Sequence, residues 1–431
     1  MRYIIFILFT SFTLLTNAQN RQQSQEQRTV VTNAVIHTGN GTVIENGIMA
    51  FDNGKLTLVA DATVVRFNIE GYTVIDAAGK HVYPGLIALN TQLGLKEIEQ
   101  VRATSDVYEV GYMNPNVRSI IAYNTDSRVI PTVRENGILM AQIVPGGGTI
   151  HGSSSVVTLD AWNWEDAVIA MDNAIHMSWP SSYRYSWDEN GYQLKANENY
   201  GKQVNAVRSF FEEARAYQQR DNTYAPNLKL AAMRGLFTRE QKLFIEAETA
   251  REMMQAIVFA ESMDIQMVIV GGAEAHLIKE ELAARSIPVV LTGTHRLPYR
   301  TDDPVTLPYQ LPSILQEAGV LCAISVSNDG SAYWNMRNLP FQAGTAAANG
   351  LSPEDALSMV TRNAAIIAGI DSTTGFLDEG MAATFLIAER DLFDMAGSNI
   401  VTAYFNGVEV TSDNWQEDLY HRFRGKYGLE E

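Results

Sequence analysis

Residues 81–95 read HVYPGLIALNTQLGL, and this stretch decides how the rest of the chain is interpreted. The apolar run over residues 82–89 predicts a strand that opens an α/β domain after a first segment of short strands. Asn90 and Gln92 follow that run. Side chains two residues apart on a strand point to the same face, so the sequence predicts two inward-facing carboxamides at the end of this strand.

The overall composition is that of an ordinary globular protein. Of the 431 residues, 46% are hydrophobic and 19% are charged, and the chain is long enough for a large domain with a smaller companion. The net charge of −17, from 32 basic and 49 acidic residues, argues against a nucleic-acid partner, which usually requires a basic surface. With Cys322 as the single cysteine, no intrachain disulfide is expected.

The first residues, MRYIIFILFTSFTLLTNAQN, combine an early arginine, an apolar core over residues 3–15 and small residues before Gln19. This is the pattern of a secretory signal peptide, predicted here to cover residues 1–18. The apolar core is too short for a comfortable membrane span. We therefore expect an exported protein, periplasmic or extracellular, with no stable membrane anchor after cleavage.

Short strands separated by turns occur near both ends of the chain. Residues 28–79, and again residues 382–389 and 400–410, alternate apolar stretches with Asn-Gly or Gly-Lys turns. Both ends are therefore predicted to build one small β-sandwich, from residues 19–80 and 373–412. Residues 413–431 are expected to form a C-terminal tail.

The middle of the chain, residues 81–372, reads as strands alternating with amphipathic helices, which favours a parallel α/β sheet. Met253, Ile257 and Ala260 mark one apolar helix face, and Ser352 followed by Pro353 marks a helix start. An eighth strand is expected within residues 162–236, where aromatic and polar residues obscure the period. The seven visible strands cover residues 82–89, 138–144, 155–159, 243–247, 267–270, 287–292 and 321–326.

Five segments, in this order, resemble the amidohydrolase superfamily: VIDAAGKHVYPGLI, PVVLTG, AGVLCAISVS, GLSPEDALSMVTRNAAIIAGI and GFLDEGMAATFLIAERDLF. The likeness extends over nearly the whole mature chain and is greatest to secreted imidazolonepropionase-like amidohydrolases. It implies an α/β fold, a TIM-like (β/α)8 barrel with a small β-sandwich formed by the N- and C-terminal segments. It also implies hydrolysis of C–N bonds in amides, cyclic amides or short peptides.

The resemblance further implies one or two divalent ions at the carboxyl ends of the barrel strands. A His-x-His pair, His residues of two middle strands and a last-strand Asp that also serves as general base would hold them. In this chain the corresponding positions hold Asn90, Gln92, Glu246, Gly271 and Ser327. Carboxamides are poor ligands for such a metal. The metal-ligand motif is therefore interpreted as degenerate, with these residues lining a pocket and no metal cofactor predicted.

The seven histidines support this interpretation, since the chain contains no His-x-His pair. Only His295 is predicted to lie at the mouth of the barrel. His151, His176 and His276 are predicted to be packed or on the surface. The glycines before His151 do not match a phosphate-binding loop, and the serines after it lack the Gly-x-Ser-x-Gly pattern of a nucleophile elbow.

A second group of candidates consists of Glu246, Glu248, His295 and Asp329. If these side chains converge, they could hold one hard cation such as Mg²⁺ or Ca²⁺, or carry out acid–base chemistry without a metal. They could equally be solvated residues at the mouth of the barrel.

Three functions follow from these alternatives. The first is a catalytically altered or non-catalytic protein that binds a small amide or peptide-like ligand, as a homo-oligomer or beside an active relative. The second is a working C–N hydrolase that uses a non-standard carboxylate site or one divalent metal. The third is a purely structural protein, which predicts that the mouth of the barrel has no cavity.

Overall fold

A computed structural model describes residues 28–189, 191–219, 226–327, 332–411 and 414–429. The predicted signal peptide and Asp329 lie outside the described residues. Among the described residues, no helix is both long and apolar enough to cross a membrane.

Both ends of the chain contribute to one eight-stranded sheet, which we call the end sheet. Its strand order is β18-β17-β16-β5-β1-β2-β3, and β4 pairs with β1. The late strand β16 pairs antiparallel with the early strand β5, with Phe385 opposite Pro84. The expected joining of the two chain ends is thus confirmed. The strands are β1 Thr29–His37, β2 Val43–Asp52, β3 Lys55–Asp61, β4 Thr73–Asp76, β5 His81–Pro84, β16 Phe385–Ala388, β17 Ile400–Phe405 and β18 Val408–Glu409.

The second eight-stranded sheet curves into a nearly closed barrel with the order β15-β14-β13-β12-β9-β8-β7-β6. Its strands β15 and β6 are joined by the Ser325 hydroxyl, which donates a hydrogen bond to the Leu89 carbonyl. The predicted eighth strand is β9, which lies inside residues 162–236. The strands are β6 Leu86–Thr91, β7 Ile138–Ile143, β8 Ile150–Thr158, β9 Val168–Ser178, β12 Lys242–Ala247, β13 Met267–Gly271, β14 Val289–Leu291 and β15 Cys322–Ile324.

One barrel strand departs from the expected all-parallel arrangement. β8 pairs antiparallel with both β7 and β9, whereas every other neighbouring pair in this sheet is parallel. The physical reason is the short connection from β7, residues 144–149, since a parallel crossover needs a dozen residues or more. The first residues of β8 therefore lie beside the carboxyl ends of its neighbours.

The helices surround the barrel and begin where the sequence indicates. In α6 a capping box joins Thr249 to Glu252, and the predicted apolar face is buried. α10 starts after Ser352, which caps its first turn. A short hairpin, β10 Tyr183–Asp188 and β11 Gly191–Ala196, leaves the barrel after β9. The helices are α1 Val129–Arg134, α2 Trp164–Ala167, α3 Tyr200–Gln218, α4 Leu228–Ala232, α5 Arg234–Phe237, α6 Ala250–Met263, α7 Lys279–Ala284, α8 Leu307–Glu317, α9 Leu339–Ala347, α10 Pro353–Met359, α11 Arg362–Ala368 and α12 Trp415–Tyr427.

Arg134, at the end of α1, ties the expected C-terminal tail to the barrel. Its guanidinium donates to the carbonyl oxygens of Leu159 at 3.1 Å and Thr411 at 2.5 Å, and lies 3.3 Å from the Asp160 carboxylate. Only 8% of its side chain is exposed. Within the expected tail, residues Trp415–Tyr427 form the helix α12.

Replacing Arg134 by methionine is expected to destabilise the protein by about 2 kcal/mol, because the buried Leu159 and the half-buried Asp160 would lose the donor that they share. Guanidinium chloride unfolding followed by circular dichroism measures the change. Arg128→Met is the matched control, because Arg128 is exposed and its guanidinium lies over the Trp415 ring, 5.7 Å from the ring centroid. Equal loss in both variants would contradict the assigned role.

Candidate functional site

A cavity of about 640 Å³ opens at the carboxyl ends of the barrel strands. Its wall takes Asn90 from β6, Glu246 from β12 and Gly271 from β13, with His295 and Ser327 from the segments after β14 and β15. Four of the five positions proposed as pocket-lining thus meet at one place. The purely structural alternative predicted no cavity here, and it is wrong.

Glu248 fills the part of the cavity above Gly271. Gly271 has a φ of +95°, and a Cβ at this position would lie 2.5 Å from Glu248 Oε1. The other oxygen, Oε2, accepts a hydrogen bond of 2.9 Å from the Ala273 amide and lies 3.8 Å from the Arg296 guanidinium. The Glu248 carboxylate therefore occupies the space that a side chain at position 271 would need.

The carboxamides of Asn90 and Gln92 do not share the cavity. Asn90 has a φ of +50°, and the pairing of β6 with β7 shifts register between Ala88 and Thr91. This bulge breaks the alternation assumed from the sequence. Asn90 lines the cavity, whereas Gln92 is buried against Gly146, where an added Cβ would lie 3.2 Å from its Nε2.

Behind Glu246 lies a hydrogen-bonded group that we call the Ser178 cluster: His151, Ser178 and Glu246. Ser178 stands directly opposite Glu246 in the parallel pairing of β9 with β12. Its hydroxyl donates a 2.6 Å hydrogen bond to Glu246 Oε2, and His151 Nε2 lies 3.0 Å from the same hydroxyl oxygen. His151 reaches this point because β8 runs antiparallel and begins at the mouth of the barrel.

The hydrogen bonds of the Ser178 cluster define where its protons lie. Ser178 has one hydroxyl proton, and an ionised Glu246 takes it as an acceptor. His151 Nε2 must then donate to the serine oxygen, which a neutral imidazole protonated at Nε2 can do. Burial lowers the pKa of His151 below its ordinary value, and the Glu246 carboxylate opposes part of that change.

His176 belongs to a second polar group inside the barrel. Its Nε2 lies 2.9 Å from the Ser154 hydroxyl, and its ring stacks on Phe244 with centroids 4.7 Å apart. Ser154 donates in turn to the Asn173 side chain at 2.9 Å. Burial holds the pKa of His176 well below its ordinary value, and the neighbouring His151 lowers it further.

The remaining candidates are dispersed. His295 lines the cavity as expected, but its Nε2 lies 2.5 Å from the Thr345 hydroxyl, and burial lowers its pKa. His276 lies in a 3₁₀ turn, Ala275–Ile278, outside the cavity wall. Of the second candidate group, Glu246, Glu248 and His295 therefore line one cavity, and Asp329 lies outside the described residues.

The sequence interpretation missed His151 and Ser178, although the short connection before β8 signalled a hairpin that would place His151 here.

The donor set at these positions does not fit the zinc-type site implied by the family resemblance. A structural or catalytic zinc takes three or four donors from His, Cys, Asp or Glu. Of the five positions where the family resemblance implies metal ligands, Glu246 alone has a side chain of this kind. Its carboxylate already accepts the hydrogen bond from Ser178. In the part of the chain that the structure describes, no group of three or more such residues is placed to hold a metal ion.

Comparisons with known proteins agree with the fold and with the sequence segments quoted above. The family model described as Amidohydrolase family matches residues 309–410. The curated amidohydrolase tasK from Hapsidospora irregularis is 25% identical over 369 residues, which cover 75% of this chain but 36% of that protein. The chain therefore spans well under two thirds of the length of this relative.

Two solved structures share the architecture. An amidohydrolase from Thermotoga maritima MSB8 has a TM-score of 0.76 and 22% identity, covering 89% of this chain and 99% of that one. A prolidase solved with N-methylphosphonate-L-proline has a TM-score of 0.55 and 15% identity, covering 90% of this chain and 100% of that one. The family match over residues 309–410 and the common fold bear out the resemblance found in the sequence and support the placement of the chain in the amidohydrolase superfamily.

Proposed function

We propose that this protein is exported, that it binds a small amide or peptide-like ligand in the cavity at the barrel mouth, and that it has lost the divalent-metal chemistry of its superfamily. The observation that carries the proposal is the Glu248 carboxylate above Gly271. The family resemblance expects a histidine ligand at position 271. A Cβ at position 271 would lie 2.5 Å from Glu248 Oε1, so a histidine there would require the Glu248 carboxylate to leave the place it holds.

The ligand class rests on the chemistry of the cavity wall and on the structural neighbours. About 640 Å³ suits a ligand of dipeptide size, since small-molecule sites range from about 300 to 1,000 Å³. Asn90 and Gln342 contribute carboxamides, Glu246 a carboxylate and Arg296 a guanidinium to the wall. These groups complement the amide, ammonium and carboxylate groups of a short peptide, and the prolidase neighbour was solved with a proline derivative.

The alternative is a working C–N hydrolase with a non-standard site. One observation favours the carboxylate form of this alternative: Glu246 faces the cavity and accepts the hydroxyl proton of Ser178 at 2.6 Å. The form of this alternative that uses one divalent metal would need Glu246, His295 and Asp329 together as ligands of the ion. Assembly as a homo-oligomer or with an active relative is a further part of the proposal, and analytical ultracentrifugation tests it.

The metal content and ligand binding of the mature protein test the proposal together. Protein purified without chelator or histidine tag is expected to carry far less than one zinc, manganese or magnesium ion per chain by mass spectrometry of metals. Calorimetric titration with glycyl-L-proline is expected to give the same affinity before and after EDTA treatment. About one bound ion per chain, together with affinity that EDTA removes, would overturn the proposal.

A further inference from the structure

The Ser178 hydroxyl lies between a carboxylate and an imidazole, 2.6 Å from Oε2 of Glu246, which lines the cavity, and 3.0 Å from His151 Nε2. We propose that Ser178 is a nucleophile for metal-free acyl transfer, with Glu246 as its general base. This inference rests on the proposed function in one respect, because the amide ligand must enter the same cavity.

The hydrogen bond from Ser178 to Glu246 has the geometry of an activated nucleophile. Neutral hydroxyl hydrogen bonds usually measure about 2.7–2.8 Å, and shorter ones mark a charged acceptor. An activated nucleophile and its base lie within about 2.6–3.2 Å of each other. Ser178 and Glu246 meet that requirement, so the carboxylate is already aligned to take the hydroxyl proton.

The backbone holds this geometry in place. Ser178 pairs with Glu246 across the ladder of β9 and β12, and the next amide, that of Trp179, donates to the Glu246 carbonyl at 2.9 Å. The Ser178 amide donates to the Thr149 carbonyl at 3.0 Å. Both reacting side chains therefore stand on hydrogen-bonded strands, which position groups better than free loops do.

The cavity reaches the cluster from the Glu246 side. Glu246 and Trp179 both line the cavity. Ser178 precedes Trp179 in the sequence and pairs with Glu246 across the two strands. Ser178 is half-buried, whereas His151 is buried. An amide carbonyl in the cavity would thus meet the serine beside the carboxylate, with the imidazole behind it.

His151 acts as a positioning residue. With Glu246 as acceptor of the hydroxyl proton, the Nε2–H of His151 donates to the serine oxygen. That hydrogen bond fixes the position of the serine oxygen between the imidazole and the carboxylate. Because the imidazole is buried, it stays neutral and does not compete with Glu246 for the proton.

The proposed reaction conserves every atom. Ser178 Oγ forms a bond to the amide carbonyl carbon while its proton passes to Glu246. The C–N bond then breaks, and Glu246 returns the proton to the leaving nitrogen. A water molecule loses a proton to Glu246 and attacks the ester carbon. The Oγ–C bond breaks, Ser178 recovers its proton, and the products are one carboxylic acid and one amine.

Diisopropyl fluorophosphate tests the nucleophile without knowledge of the substrate. Its P–F bond breaks as Oγ–P forms, fluoride leaves, and the proton passes to the base. In the protein without substitutions we expect one adduct per chain, which peptide mapping should locate on Ser178. Ser178→Ala should abolish the adduct, and Glu246→Gln should slow its formation by about 100-fold or more, since general-base catalysis contributes at least that much.

Ser352 provides an internal control in the same molecule. Its hydroxyl also donates a 2.6 Å hydrogen bond to a carboxylate, that of Asp355, but it caps a helix and lies outside the wall of the cavity. We expect no adduct on Ser352. Absence of an adduct on Ser178, or a rate that Glu246→Gln leaves unchanged, would overturn the inference.

Glycyl-L-proline separates this inference from the proposed function. Binding of the dipeptide to Ser178→Ala, measured by calorimetry, reports on the cavity alone. If the dipeptide binds and Ser178 takes no adduct, the nucleophile is wrong and the ligand site stands. If Ser178 takes the adduct and the dipeptide does not bind, the nucleophile stands and the assigned ligand class is wrong.

Discussion

Replacing Gly271 by alanine is expected to destabilise the protein by about 2–5 kcal/mol and to abolish binding of glycyl-L-proline. Two costs add at this position. A φ of +95° is unfavourable for any residue with a Cβ, by about 1–2 kcal/mol. The Cβ would also lie 2.5 Å from Glu248 Oε1, so the carboxylate must move and loses its hydrogen bond from the Ala273 amide, at about 1–3 kcal/mol more. To relieve the clash, the Glu248 carboxylate must move into the cavity.

Gly41→Ala is a matched control for the backbone cost. Gly41 has a φ of +96°, and its Cβ would meet no heavy atom within 4 Å. Guanidinium chloride unfolding of both variants should therefore separate conformational strain from the clash with Glu248. The double variant Gly271→Ala with Glu248→Ala should be more stable than Gly271→Ala alone. The gain should equal the difference in unfolding free energy between Gly271→Ala and Gly41→Ala. Equal destabilisation by Gly271→Ala and Gly41→Ala would show that Glu248 does not occupy the space above position 271.

Much of the fold follows from local pattern. The apolar run of residues 82–89, which the structure divides between β5 and β6, reflects burial, as do the paired β segments at the chain ends. The start at Ser352 reflects capping, and both effects act over a few residues. The antiparallel direction of β8 was not predicted, because the family resemblance implies a barrel in which all strands are parallel. The connection of residues 144–149 is too short for a crossover, and this signal was present in the sequence.

The candidate site was harder to predict because it depends on register and backbone irregularity. The family resemblance placed Asn90, Glu246, Gly271 and Ser327 in the cavity wall, because it matches the ends of separate strands position by position. Gln92 leaves the wall because the bulge at Asn90 ends the alternation.

The Ser178 cluster shows why the rest could not be read from the sequence. His151, Ser178 and Glu246 are brought together by two strand pairings, β8 with β9 and β9 with β12. A shift of one residue in either pairing would turn these side chains to opposite faces of the sheet. The short connection before β8 indicates where His151 lies, but no short motif indicates its contact with Ser178 and Glu246.

Acidification from pH 7.5 to pH 5 is expected to reduce the free energy of unfolding by several kcal/mol, largely through the buried histidines. Burial lowers the pKa values of His151 and His176 in the folded state, that of His176 well below the usual value near 6.5. The unfolded chain therefore binds more protons than the folded one as the pH falls below about 6.5. The contribution of the two neutral histidines to the free energy of unfolding is complete above that pH. It is lost as the pH falls toward their pKa values in the folded state, at up to about 1.4 kcal/mol per pH unit for each histidine.

His176→Gln should flatten this dependence, because glutamine keeps a donor near the Ser154 hydroxyl but does not titrate. Urea unfolding at half-unit intervals between pH 5 and 7.5 gives the slope for each variant. His421→Gln is the control, since His421 lies exposed on α12 and its surroundings change little on unfolding. A slope for His176→Gln equal to that of the unmodified protein would mean that His176 takes up its proton without unfolding. Its burial between Ser154 and Phe244 would then contribute nothing to acid sensitivity.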